Sequence, residues 1–168
     1  MKTRLAVALM GLLAHLPLPL LRGLGWLLGR LLFVLAAPRR KVALRNLALC
    51  FPEVPEAQRR AWARATFVVF CQTFLDRSWL WAGSEALVRR RVKLVGAVHE
   101  LDGDTPTIVF APHFYSMDAG GLALSLNTAR EFTSIFATNP DPALDAWFMG
   151  GRQRFGNVRM LNRADGVK

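Results

Sequence analysis

Every formal charge in the first 52 residues is positive: Lys2, Arg4, Arg22, Arg30, Arg39, Arg40, Lys41 and Arg45 stand there against no acid. Around them the sequence is Leu-rich, with residues 5–21 free of formal charge and apolar character resuming over residues 23–38. Such a segment prefers lipid to water. Residues 5–21 sit at the short end of the roughly 17 to 25 residues that span a bilayer, and Pro17 and Pro19 interrupt their regularity. The expectation is a membrane anchor over residues 1–38, bent or re-entrant. Arg39, Arg40, Lys41 and Arg45 then fall where anionic headgroups of a cytoplasmic leaflet attract them, each by about 1 kcal/mol, which places the rest of the chain in the cytoplasm. Two other readings stay open. A cleaved signal peptide would begin in the same way, but the apolar character runs past a normal h-region and no clear small-x-small site follows. A buried hairpin of soluble helices would have to hide or snorkel Arg22 and Arg30.

From Glu53 onward the charge nearly balances, 14 basic residues against 12 acidic, so the net +10 comes almost wholly from the first third. A nucleic-acid-binding domain carries its basic stripe on the folded part, so no nucleic-acid partner is expected. The 52% hydrophobic content, with 11 Phe and 5 Trp, excludes a disordered chain. Cys50 and Cys71 exclude a disulfide scaffold and are too sparse for zinc; they read as thiols of a reducing compartment.

Phe51-Pro52-Glu53-Val54-Pro55-Glu56 combines turn residues with acids suited to a helix start. Trp62, Thr66, Val69, Phe70, Thr73 and Phe74 then share one helical face, with Arg59, Arg60, Arg64 and Arg77 elsewhere, which predicts a helix to about Trp81 ended by Gly83-Ser84. A short helix from Ser84 and a strand around residues 92–95 follow. Beyond Pro106 the pattern alternates: a buried strand at 107–111, a helix at 117–126, a strand at 132–137, a helix at 143–148 and a third strand at 157–161. This reads as α/β, with helices packed on a parallel or mixed sheet.

The chemistry-bearing feature stands at the end of that first strand: Pro112-His113-Phe114-Tyr115-Ser116-Met117-Asp118. Open α/β sheets commonly bind ligands at this edge. On a regular helix an i, i+5 pair lies about 140° apart, so His113 and Asp118 meet only if the chain bends between them. Pro112 disfavours helical geometry before it, which allows His113 in a turn and Asp118 in the first helical turn facing back. The carboxylate would then hold one ring nitrogen and leave the other as general base for a bound hydroxyl. No GxSxG elbow precedes it and no Cys lies beside it, so a bound alcohol is expected as the nucleophile ahead of a protein side chain. The bland reading, with His113 a turn residue and Asp118 a helix cap, stays open beside it.

Over nearly its whole length the sequence resembles the bacterial lipid A biosynthesis acyltransferases of the lauroyl and myristoyl type, relatives of the glycerolipid acyltransferases. The likeness rests on Leu16-Pro17-Leu18-Pro19 and Gly25-Trp26-Leu27-Leu28-Gly29-Arg30, and on Arg45-Asn46-Leu47-Ala48-Leu49-Cys50-Phe51-Pro52-Glu53. It continues with His113 to Asp118, Asn139-Pro140 with Leu144-Asp145, and Gly151-Arg152-Gln153-Arg154-Phe155-Gly156. The resemblance implies an apolar anchor helix (1–38) followed by the N-terminal part of an acyltransferase α/β domain (39–168), with helices on a partial sheet of the glycerolipid acyltransferase type. It implies transfer of a fatty acyl chain from acyl carrier protein to a hydroxyl of a lipid A precursor, at the cytoplasmic face of the bacterial inner membrane. His113 would take the hydroxyl proton and Asp118 would orient the imidazole. Arg152 or Arg154 would hold an acceptor phosphate or offset charge at the thioester oxygen. No metal or cofactor is implied beyond the carrier-protein thioester as co-substrate. The carrier would land on basic residues near the anchor or on Arg89, Arg90 and Arg91. Members of the lauroyl type often carry Glu where this chain has Asp118. The family also continues well past the position of Lys168, so the α/β domain is expected to be incomplete. The alternatives are a glycerophospholipid acyltransferase and a non-catalytic membrane-anchored relative.

Overall fold

The computed structural model describes residues 2–166. Its elements in order are α1 (Lys2–Leu13), α2 (Leu18–Leu35), α3 (Ala37–Cys50), α4 (Glu56–Ala82), α5 (Glu85–Arg91), α6 (Met117–Asn127), β1 (Phe132–Phe136), α7 (Pro142–Gln153) and β2 (Val158–Asn162), with short 3-10 turns at Val98–Leu101 and Arg163–Asp165. Among the described residues the architecture is mostly helical with one small two-stranded parallel sheet. Two compact units divide it. One holds Leu16–Asp76, and the other holds residues 2–15 together with residues 77–166.

In the Leu16–Asp76 unit, the prolines expected to interrupt an apolar span instead start a helix. Pro17 occupies the N-cap position of α2 and Pro19 lies in its first turn, where a preset φ and a missing N–H cost nothing. The apolar stretch 5–21 is therefore shared between two helices. Among the described residues it is Leu18–Leu35, of mean hydropathy 1.6, that is long and apolar enough to cross a membrane. α2 packs on α4 through its glycines: a Cβ on Gly25 would stand 2.9 Å from Gln72 Cα, and one on Gly29 only 2.4 Å from Val68 Cα. The Gly-x-x-x-Gly spacing thus brings two helix backbones together where any side chain would collide. Phe33 closes the contact edge-on against Phe67, ring centres 5.4 Å apart, beside the fully buried Ala63. At the other end Arg22 donates to both carboxylate oxygens of the buried Asp76 at 2.8 Å. The basic run after α2 is partly structural, since Arg40 donates to the Phe33 and Val34 carbonyls at 2.6 and 2.8 Å and so satisfies the open end of α2.

In the second unit, Ser84 caps α5 by accepting from the Leu87 N–H at 3.2 Å. β1 and β2 run parallel in the register Phe132↔Val158 to Phe136↔Asn162, joined by α7 as a parallel pair requires. Leu80, Val88 and Leu122 are buried here almost completely.

Two expected strands are not formed. Residues 92–95 lack strand pairing, and 107–111 are irregular and exposed, Ile108 by 97% and Phe110 by 88%. A strand needs a ladder partner, and the sheet among the described residues pairs β1 with β2 alone. The segment before 107–111 is held from outside instead, with Arg130 Nη2 donating to the Thr105 carbonyl at 2.7 Å.

Candidate functional site

The site forms around the start of α6. Phe114 N–H donates to the Pro112 carbonyl at 2.7 Å, a three-residue turn that bends the chain sharply. Ser116 follows in the left-handed region at φ 67°, and its carbonyl accepts from the Ala119 N–H at 2.9 Å to open the helix. Asp118 thereby lies in the first turn, where the helix dipole favours a carboxylate.

The bend does not bring His113 and Asp118 together. His113 is exposed on the turn, while Asp118, only 11% exposed at its side chain, is claimed by two guanidinium groups. Arg77, from the last part of α4, places Nε and Nη2 at 2.8 and 2.7 Å from Oδ2. Arg152, from the last turn of α7, donates its Nε to Oδ1 at 3.0 Å. Three N–H bonds thus occupy a carboxylate that offers about four acceptor positions. Charge-assisted bonds of this kind fix the plane of the Asp118 carboxylate.

Aromatic rings support the cluster. Trp81, Trp147 and Phe148 pack edge-on, with Trp81 4.4 Å from Trp147 and 5.3 Å from Phe148. The Arg77 guanidinium lies 5.5 Å from the Trp81 ring and that of Arg152 5.3 Å from Phe148. Gly151 makes this packing possible, because a Cβ there would sit 2.2 Å from Trp81 Cδ2. At the opposite end of α7, Asp141 accepts from the Ala143 and Leu144 N–H groups at 2.9 and 3.1 Å, and Asp145 Oδ1 accepts from the Asn139 N–H at 2.7 Å. The Asn139 to Asp145 motif is therefore a helix start that aims α7, and with it Arg152, at Asp118.

Of the four residues singled out from the sequence, the structure joins Asp118 to Arg152 and leaves His113 apart. Arg154 is engaged elsewhere, its two terminal nitrogens donating to the Leu80 and Gly83 carbonyls at 2.6 Å and so closing the C-terminus of α4. Burial there pushes its pKa down from the ordinary arginine value, opposed by the nearby Glu85. Helical spacing sets Arg77 apart from the apolar face of α4, and it is the residue that sequence reasoning misses. The available signal is its place one turn before Trp81, at the end of α4 where the apolar face gives way to a buried Asp76. Among the described residues no group of three His, Cys, Asp or Glu side chains could hold a metal ion.

Comparison with known proteins adds a family. The family model described as bacterial lipid A biosynthesis acyltransferase matches residues 2–168. The chain is 27% identical over 166 residues to the lipid A biosynthesis lauroyltransferase of Escherichia coli K12, covering 97% of this chain and 53% of that protein. It is 28% identical over 166 residues to a lipid A biosynthesis acyltransferase of Haemophilus influenzae, covering 96% and 52%. With the lipid A biosynthesis myristoyltransferase of Escherichia coli K12 it shares 29% over 153 residues, covering 89% and 46%. The chain spans about half the length of these curated relatives. No solved structure matches it.

Proposed function

The chain belongs to the bacterial lipid A biosynthesis acyltransferase family, and from that premise we propose that it transfers a fatty acyl chain from the thioester of acyl carrier protein to a hydroxyl of a lipid A precursor, at the cytoplasmic face of the bacterial inner membrane. The fold that goes with this reading is that of the glycerolipid acyltransferases. The observation that carries it is the carboxylate of Asp118, five residues after His113, fixed in the first turn of α6 by Arg77 and Arg152. One acceptor position of that carboxylate remains for a ring N–H of His113, whose exposed turn brings the imidazole onto it once the acceptor lipid is seated.

The chemistry follows from these groups. The other ring nitrogen of His113 removes the proton of the acceptor hydroxyl as its oxygen attacks the thioester carbonyl carbon. The C–S bond then breaks, and the imidazolium returns the proton to the departing thiolate of the carrier. Asp118 stabilises the imidazolium in between. Arg152 bonds Asp118 through its Nε, and its terminal nitrogens would offset charge on the thioester oxygen or hold an acceptor phosphate. The terminal nitrogens of Arg154 are spent on closing the end of α4, so Arg152 is the better supported of the two for this role. The thioester is already the activated donor, so the reaction balances without a further cofactor. The cations of the first 52 residues match the anionic leaflet and the acidic carrier alike.

The test is acyl transfer by membranes carrying the chain, with labelled acyl carrier protein and a lipid A precursor, beside His113→Ala. Transfer that falls by about 10² to 10⁴ in the variant supports the reading. Transfer unaffected by His113→Ala overturns the role of His113. Transfer to a lysophospholipid in preference to the lipid A precursor moves the acceptor to the glycerophospholipid class. A membrane-bound chain that transfers nothing overturns catalysis and leaves a non-catalytic relative.

A further inference from the structure

We propose that α2, although long enough to cross a bilayer, lies with α4 in a single anionic leaflet, so that both of its ends face the same side of the membrane. The inference rests on the membrane part of the function proposed above and concerns the protein's topology. Its basis is the register of the two helices. Arg22 meets Asp76, Gly25 meets Gln72, Gly29 meets Val68 and Phe33 meets Phe67, so α4 runs antiparallel beside α2 along most of its length. The two cannot part in lipid without loss. A Cβ at Gly29 would collide with backbone, the Gln72 amide donates to the Arg22 carbonyl at 3.1 Å, and the Arg22–Asp76 pair closes the end.

α4 therefore sets the depth that α2 can reach. Its uncharged stretch beside α2 is residues 65–75, bounded by Arg64 and Asp76. Eleven helical residues rise about 16 Å, little more than half of the roughly 30 Å hydrocarbon thickness. A spanning α2 would drag Arg64 or Asp76 into the hydrocarbon, where charges are rarely found. Lying in one leaflet, the pair keeps both charged borders at headgroup level. It still exposes an apolar surface to acyl chains, with Leu27, Leu31 and Val34 on α2 and Val69, Phe70 and Phe74 on α4 all exposed. The occupant of that surface is an anionic lipid leaflet, because the flanking α3 carries Arg39, Lys41 and Arg45 and no acid occurs before Glu53.

Labelling from either side tests the topology. His15 and Glu53 flank the segment and are exposed. His15→Cys and Glu53→Cys, each with Cys50→Ser and with Cys71 buried, are expressed in the bacterial inner membrane and treated with a membrane-impermeant maleimide. Both cysteines are expected to label in inverted vesicles and neither in intact spheroplasts. Labelling of the two from opposite sides shows a spanning α2 and overturns the proposal. A chain that stays in the supernatant overturns it too, and takes the membrane part of the proposed function with it. A topology failure alone leaves that function standing. The purified chain is further expected to sediment with phosphatidylglycerol vesicles and lose most of that binding with phosphatidylcholine; equal binding to both overturns the anionic partner.

Discussion

Gly150 and Gly151 are neighbours on α7, and placing Ala at each separates helix propensity from packing. A Cβ on Gly150 meets nothing within 4 Å. Gly150→Ala therefore gains only the propensity difference and stabilises the protein by about 0.5–1 kcal/mol. The same gain applies at Gly151, but there the new Cβ would lie 2.2 Å from Trp81 Cδ2 and 2.5 Å from Cγ. Trp81 is only 9% exposed and is hemmed in by Trp147 and Phe148, so ring or helix must give by more than about 1 Å. Overpacking of this kind costs about 1–3 kcal/mol, which leaves a net destabilisation of up to about 2 kcal/mol. Two adjacent substitutions of the same chemistry thus have opposite signs. Equilibrium urea unfolding in mild detergent, followed by circular dichroism and Trp emission, reads the difference at constant m-value. The Gly151→Ala protein should also show altered Trp emission in the folded baseline. A Gly151→Ala protein as stable as Gly150→Ala, with unchanged emission, would refute the packing argument and with it the account of how α7 delivers Arg152 to Asp118.

The Arg77–Asp118 contact is expected to show a coupling of about 1.5–3 kcal/mol in a double-mutant cycle of Arg77→Met and Asp118→Asn, because a largely buried carboxylate loses a charge-assisted partner; additive effects on unfolding would show that the pair contributes nothing. For Asp141, the Thr3 hydroxyl and then the Leu144 N–H hold the carboxyl below its usual 3.8. A carboxyl with a depressed folded pKa stabilises above its unfolded value and loses that contribution as pH falls through the folded one. The stability gap between the protein and Asp141→Asn should therefore be full above pH 3.8 and close below it, and a gap constant with pH across that window would contradict the assignment.

Much of the fold is legible where the deciding forces are local. The acids before residue 57, the apolar face from Trp62 to Phe74 and Gly83-Ser84 mark the ends of α4 to within a residue or two, and Ser84 caps α5 as its side chain allows. β1, β2 and the start of α7 lie within a residue of their expected places, while α7 runs five residues past its expected end, to Gln153. What escapes the sequence depends on partners far along the chain. Residues 107–111 have the composition of a buried strand, but composition cannot supply a ladder neighbour. Arg77 reads only as a residue off the apolar face of α4, because its partner Asp118 is 41 residues away. Nothing local to Arg154 reveals that it bonds two carbonyls more than seventy residues earlier. The spacing of His113 and Asp118 suggests a shared hydrogen bond, and spacing alone cannot foresee that two guanidinium groups take three of the carboxylate's positions.

The exposed stretch 107–111 bears on how the protein behaves in concentrated solution. Thr107-Ile108-Val109-Phe110-Ala111 is uncharged and rich in β-branched and aromatic residues, the composition on which separate chains stack into fibrils. Pro106 and Pro112 stand at its borders, and neither has an N–H to offer a growing ladder. An intermolecular sheet begun here runs out after five residues, short of the roughly six or seven that form a stable zipper. The proline that bends the chain ahead of His113 is thus also a gatekeeper against aggregation.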